Sequence, residues 1–248
     1  MRTGRGGPAV APVAVAVVLA SLALTAGLSL LGWVVGLACA AAVAVVEARG
    51  LARYARARGP ADLVTLLRAV LTCGVAALAA DAFVAAPAVG ALVGLTVPAL
   101  ALDAVDGWVA RRTRTASRFG AWFDGEVDAF LILVLSVDVA RTARPWVLAM
   151  GAARYAFLLA GRVFPWLRAP LPPRYWRKVV TAAVGIALAT AAVGVLPGAV
   201  TTFALVLALA LLAESFGRDA LWLWRRRGVV AGTPSVALAR TEPGRAAR

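Results

Sequence analysis

The stretch Asp103–Asp128 reads D-A-V-D-G-W-V-A-R-R-T-R-T-A-S-R-F-G-A-W-F-D-G-E-V-D, four aspartates set beside apolar runs long enough to enter a bilayer. Carboxylates near bilayer depth are costly, and they mark bound ions, proton relays or wet cavities. Asp103 and Asp106 are three apart and Asp124 and Asp128 four apart, so on α-helices each pair shares one face. Two such helices side by side would present four carboxylates to one point. Their repulsion in a medium of low effective dielectric is relieved only by protonation or by bound cations. Hard oxygen ligands of this kind suit magnesium, manganese or calcium. The stretch therefore predicts two adjacent membrane helices with a divalent-cation site between them.

Working outward, 62% of the residues are apolar and 15% charged, which excludes a water-soluble core and predicts an all-α polytopic membrane protein. The net charge of +14 is carried by arginines in short clusters between apolar runs. That pattern fits membrane topology and anionic headgroups, with membrane lipids as partners and no nucleic acid. The chain has no histidine, which removes imidazole bases and His-ligated zinc. Cys39 and Cys73 fall inside apolar runs without a C-x-x-C pattern and read as small buried residues.

A bilayer core of about 30 Å needs roughly 20 apolar residues per helix. That ruler predicts about eight helices, near 10–26, 28–46, 62–83, 87–112, 117–140, 145–164, 178–196 and 199–217. Basic clusters alternate between the connections: Arg2 and Arg5, then Arg49 to Arg58, Arg111 to Arg118, Arg168 to Lys178, and Arg225 to Arg227. By the positive-inside rule both termini and these loops are cytoplasmic, and so is the mouth carrying the aspartates. Residues 1–60 read as an N-terminal membrane hairpin with a basic loop, 61–217 as the six-helix core, and 218–248 as a basic tail expected to be disordered. Pro98 within the fourth helix is a candidate kink.

Gly107 and Gly120 flank the acidic cluster, where close approach of a helix or a flat ligand and plain small-residue packing both account for them. Arg111 lies one turn beyond Gly107, and guanidinium matches phosphate oxygens. Carboxylate-held metal beside arginine describes a phosphate-ester site, with a spare carboxylate to take the proton of an attacking hydroxyl.

The spacing D-x2-D-G-x2-A-R-x8-G-x3-D-x3-D is met without a gap by Asp103, Asp106, Gly107, Ala110, Arg111, Gly120, Asp124 and Asp128, and it resembles the CDP-alcohol phosphatidyltransferase family. The resemblance implies an integral membrane enzyme of phospholipid synthesis with a six-helix core, here preceded by an extra two-helix hairpin. It implies attack by an alcohol on a CDP-linked lipid such as CDP-diacylglycerol, with release of CMP, and extends to a homodimer. By position, Asp103, Asp106 and Asp124 would hold two divalent cations, Mg2+ or Mn2+. Asp128 would complete the metal site and act as general base. Gly107, Ala110, Arg111 and Gly120 would line the CDP site. The segment A-D-L-V-T-L-L-R at 61–68 is similar to the family's N-x-L-T-x-x-R opening through Thr65 and Arg68, with Asp62 in place of asparagine and without a role carried over.

Acceptor or phosphate contacts are assigned to Thr65, Arg68, Arg154, Arg162 and Lys178, with interfacial snorkelling as the competing account of Arg162 and Lys178. The resemblance leaves glycerol 3-phosphate, inositol phosphate, phosphatidylglycerol and serine open as acceptors, the first two being the ones expected here. Glu126 falls on another face from Asp124 and Asp128 and reads as helix-surface or loop-facing, while Asp81, Asp138, Glu214 and Asp219 read as structural or solvent-facing. The alternative from a different class is a cation- or proton-coupled transporter. It would place the acids at mid-helix and show paired repeats.

Overall fold

A computed structural model describes residues 10–54, 59–113, 117–142, 144–169, 171 and 174–231. Among these there are eight α-helices and no strand: α1 (Val10–Ala26), α2 (Leu30–Tyr54), α3 (Pro60–Asp81), α4 (Val89–Arg112), α5 (Arg118–Ala140), α6 (Leu148–Val163), α7 (Tyr175–Val193) and α8 (Gly198–Ala231). The chain is an all-α polytopic membrane protein, as its composition predicts. Five helices, α2, α3, α4, α7 and α8, are long and apolar enough to cross a bilayer. The others depart for local reasons. α1 and α6 have 17 and 16 residues, and α5 carries Asp124, Glu126, Asp128 and Asp138.

The breaks between helices follow from particular residues. Gly27 and Gly194 take positive φ of 70° and 72°, the left-handed conformation that ends α1 and α7. Pro60 opens α3 at a position where its missing N–H is not needed. Ser117 caps α5, its hydroxyl accepting from the Gly120 N–H at 2.9 Å. α4 runs through Pro98 as one helix.

Contacts at both ends make the bundle alternate up and down. At one end Tyr54, the last residue of α2, meets Phe119 at the start of α5, and Arg177 at the start of α7 lies 3.6 Å from Asp219 of α8. At the other, the Ser29 N–H donates to Asp81 at 2.7 Å and Arg141 donates to the Ala82 carbonyl at 2.9 Å. Asp138 is buried and bonded to Arg141 at 2.7 Å, so these acids are structural as expected.

α3 is the central helix, packed against α1, α2, α4 and α5 and buried around nearly its whole circumference. Its small residues Ala69, Cys73, Gly74, Ala76 and Ala77 let neighbouring backbones approach closely. The N-terminal hairpin is part of this packing, since Gly36 of α2 fits between Leu19 and Ala77. The outer faces are apolar and bare, as at Leu24, Val163 and Phe203, which suits contact with lipid tails.

α5 and α6 meet at Gly151, where an added Cβ would lie 2.8 Å from the Leu133 Cα. Backbone cannot move aside as a side-chain tip can. Gly151→Ala is therefore expected to destabilise the bundle by about 1–3 kcal/mol from overpacking, more than the roughly 1 kcal/mol that alanine adds in helix propensity. Thermal unfolding in detergent micelles checks the sign.

The last helix departs from its expected end at 217, running to Ala231 instead of giving way to a tail at 218. The polar turns beyond the apolar run are held within the helix. Arg218 pairs with Glu214 at 2.8 Å, and Arg226 and Arg227 lie over the Trp222 and Trp224 rings at 4.3 and 4.7 Å. The remainder of the expected tail, 232–248, lies outside the described residues.

Candidate active site

Asp103 of α4 and Asp124 and Asp128 of α5 come together, each offering a carboxylate oxygen within 4.8 Å of the others. The sequence predicts α4 and α5 side by side, but both pack on α3 and α7 and not closely on one another. Asp124 and Asp128 achieve this because four residues return a helix to the same face. Asp106 follows Asp103 by almost one turn of α4, but its side chain, like those of Ala110 and Arg111, lies outside the described residues. Gly107 is partly buried on the same helix.

A cation from a third helix enters this cluster. Arg68 of α3 is 1% exposed, and its Nη1 donates to Asp124 Oδ1 at 2.5 Å while Nη2 donates to Asp128 Oδ1. Nη1 also lies 3.2 Å from Asp103 Oδ1. Its Nε donates to the Ala99 carbonyl of α4 at 3.1 Å. Thr72, one turn on, donates to the Arg68 carbonyl at 2.8 Å. A second cation, Lys178 Nζ at the start of α7, stands 3.6 Å from Asp124 Oδ2 and is 56% exposed.

The donor set fits a divalent cation. Three carboxylates supply hard oxygens, and Asp103 Oδ1, shielded from solvent, accepts no hydrogen bond. A solvent-shielded carboxylate oxygen that has an ion pair but no hydrogen bond is an atom a metal would satisfy. Beside it, a cavity of about 60 Å³ is lined by Arg68, Asp103 and Asp128 together with Leu100, Leu131, Ile132, Thr181, Ala182, Gly185 and Ile186. Ionic and hydrocarbon surfaces meet there. A larger cavity of about 120 Å³ at the opposite end holds Asp138 and Arg141, already paired with each other, and has no comparable donor set.

Of the other residues singled out from the sequence, Thr65 is buried and its hydroxyl donates to the Ala61 carbonyl at 3.3 Å. Arg162 is exposed on the last turn of α6. Arg154 is drawn to Glu126, 2.6 Å away, so Glu126 is not the bare surface acid expected but half of an α5–α6 ion pair. Sequence reasoning placed Glu126 on the correct separate face and missed its partner, because nothing local says that α6 packs there.

Asp62, left without a role by the sequence, is buried and accepts from the Gly59 N–H at 2.7 Å at the start of α3. An added Cβ at Gly120 would come within 2.8 Å of Asp62 Oδ1 and 3.2 Å of Ser117 Oγ. The space beside Gly120 is thus taken by the α3 N-terminus, which fixes the height of α5 against Arg68. Gly120→Ala is expected to displace the Asp62 carboxylate, a side-chain tip, and so to cost less stability than Gly151→Ala and to change metal binding little. Unfolding and Mn2+ titrations on the same protein measure the two effects.

Against known proteins, the family described as CDP-alcohol phosphatidyltransferase matches residues 58–213, from the start of α3 into α8. The match takes in every described residue of the cluster and leaves the α1–α2 hairpin outside. Searches of curated proteins and of solved structures return no match.

Proposed function

The chain belongs to the CDP-alcohol phosphatidyltransferase family, and from that premise we propose that it moves a phosphatidyl group from CDP-diacylglycerol, or a similar CDP-linked lipid, to an alcohol in phospholipid synthesis. The observation that carries this reading is the convergence of Asp103, Asp124 and Asp128 on one point beside an apolar lining. An ionic end and a hydrocarbon end are what a diphosphate-linked lipid presents.

In the proposed reaction the acceptor hydroxyl oxygen forms a bond to the phosphorus nearer the diacylglycerol. The bond from that phosphorus to the bridging oxygen breaks, and the electron pair leaves with CMP. The hydroxyl proton passes to the Asp128 carboxylate, so Asp128 is the general base. Asp103, Asp106, Asp124 and Asp128 would hold two Mg2+ or Mn2+ ions, which when bound neutralise the charge of the diphosphate. Arg68 holds Asp124 and Asp128 in place through its two Nη atoms and aligns the base. Gly107, Ala110 and Arg111 are assigned to the CDP end, while Gly120, expected there from the sequence, has its Cβ side against Asp62. Lys178, exposed and beside Asp124, is the best placed cation for a phosphorylated acceptor such as glycerol 3-phosphate or inositol phosphate. Arg154 and Arg162 on α6 and Thr65 on α3 are the further candidates.

The alternation of basic loops puts this mouth and both termini on the cytoplasmic side, in an integral cell-membrane protein. A second copy of the chain is the proposed partner in the membrane. The test is CMP release from CDP-diacylglycerol by purified protein with Mg2+ or Mn2+ across a panel of alcohols. Release that requires one alcohol supports the reading and identifies the acceptor. Ion flux in proteoliposomes without any CMP release would favour transport instead.

A further inference from the structure

We propose that Arg68 is the resident cation of the carboxylate cluster, and that divalent metal binds there in competition with its guanidinium. The inference rests on the metal-site reading given above and goes beyond it by making metal affinity depend on a residue that is not a ligand.

Arg68 reaches all three carboxylates whose oxygens converge, so its charge lies where a metal would sit. It is also anchored. The Nε bond to the Ala99 carbonyl leaves the planar fork little freedom to swing aside, and the side chain has almost no solvent contact. Lys178 differs on both counts, being a half-exposed flexible chain at 3.6 Å. A fixed positive charge among these carboxylates opposes the entry of a second cation, most strongly where the effective dielectric is low. It also donates to Asp124 Oδ1 and Asp128 Oδ1, whereas Asp103 Oδ1 faces it at 3.2 Å without a hydrogen bond and is the least engaged of the three oxygens.

Two consequences follow. The resting protein stays folded without metal, because Arg68 neutralises part of the cluster, and it holds metal loosely. A nucleoside diphosphate brings negative charge to the same point, offsets the guanidinium and tightens the metal. Metal and nucleotide then bind with positive coupling.

The experiment is Mn2+ binding to the detergent-purified full chain, read from the electron paramagnetic resonance signal of free Mn2+, with and without CDP. Wild type, Arg68→Gln, Arg68→Lys and Asp103→Asn are compared. Arg68→Gln is expected to bind Mn2+ about tenfold more tightly than wild type without CDP. CDP should tighten binding in wild type and do so less in the variant. Arg68→Lys keeps the charge but lacks the fork and should gain about threefold, which keeps the test alive if the glutamine variant does not fold. Affinity unchanged or weakened in the Arg68 variants, while Asp103→Asn abolishes binding, overturns the competition and leaves the metal site standing. Binding absent from wild type, or unaffected by Asp103→Asn, overturns the metal-site reading and this inference with it.

Discussion

Asp128→Asn is expected to lower the rate of CMP release by about 10²–10⁴-fold, the usual loss when a general base is removed, while the protein stays folded. Asparagine has the size of aspartate and its carbonyl oxygen can still accept from Arg68 Nη2, so the link between α3 and α5 survives. What disappears is the group proposed to take the proton of the attacking hydroxyl. Turnover and thermal unfolding measured on the same preparation separate the two effects. Activity within a factor of a few of wild type would remove Asp128 from the proposed chemistry.

Arg68→Ala is expected to produce the largest loss of stability, about 3–5 kcal/mol in the presence of chelator, the range for breaking a buried ion pair from one side. Arg68 is the charged member with least solvent contact, and its removal leaves Asp103, Asp124 and Asp128 facing one another. The loss should shrink as Mn2+ is added, since a ligand that binds only the folded state stabilises it by mass action. Denaturant unfolding in micelles, with chelator and with Mn2+, provides the check. An unchanged midpoint in chelator would mean that the three carboxylates do not depend on Arg68.

The halves of the site that are local in the chain could be read from it. Spacings of three and four residues predict carboxylates stacked on helix faces, and the structure brings Asp103, Asp124 and Asp128 together. The part that depends on which helix lies next to which could not. Arg68 stands 56 residues before Asp124, and its Thr-x-x-Arg setting suggested phosphate contact without showing that α3 runs through the middle of the bundle. Asp62 and Gly120 looked unrelated for the same reason, although they meet where α3 and α5 begin. The end of α8 was misread for a different cause. Hydropathy marks where a helix leaves the apolar layer, whereas helix formation continues through Arg, Leu and Trp until the backbone is interrupted.

In the proposed reaction the phosphorus attached to diacylglycerol is the atom transferred. CDP-diacylglycerol labelled at that phosphorus, incubated with purified protein, Mn2+ and the accepted alcohol, tests it most directly. The label is expected in the new lipid, with unlabelled CMP released in equal amount. Label recovered in a water-soluble nucleotide, or CMP formed with no labelled phosphodiester product, would contradict it.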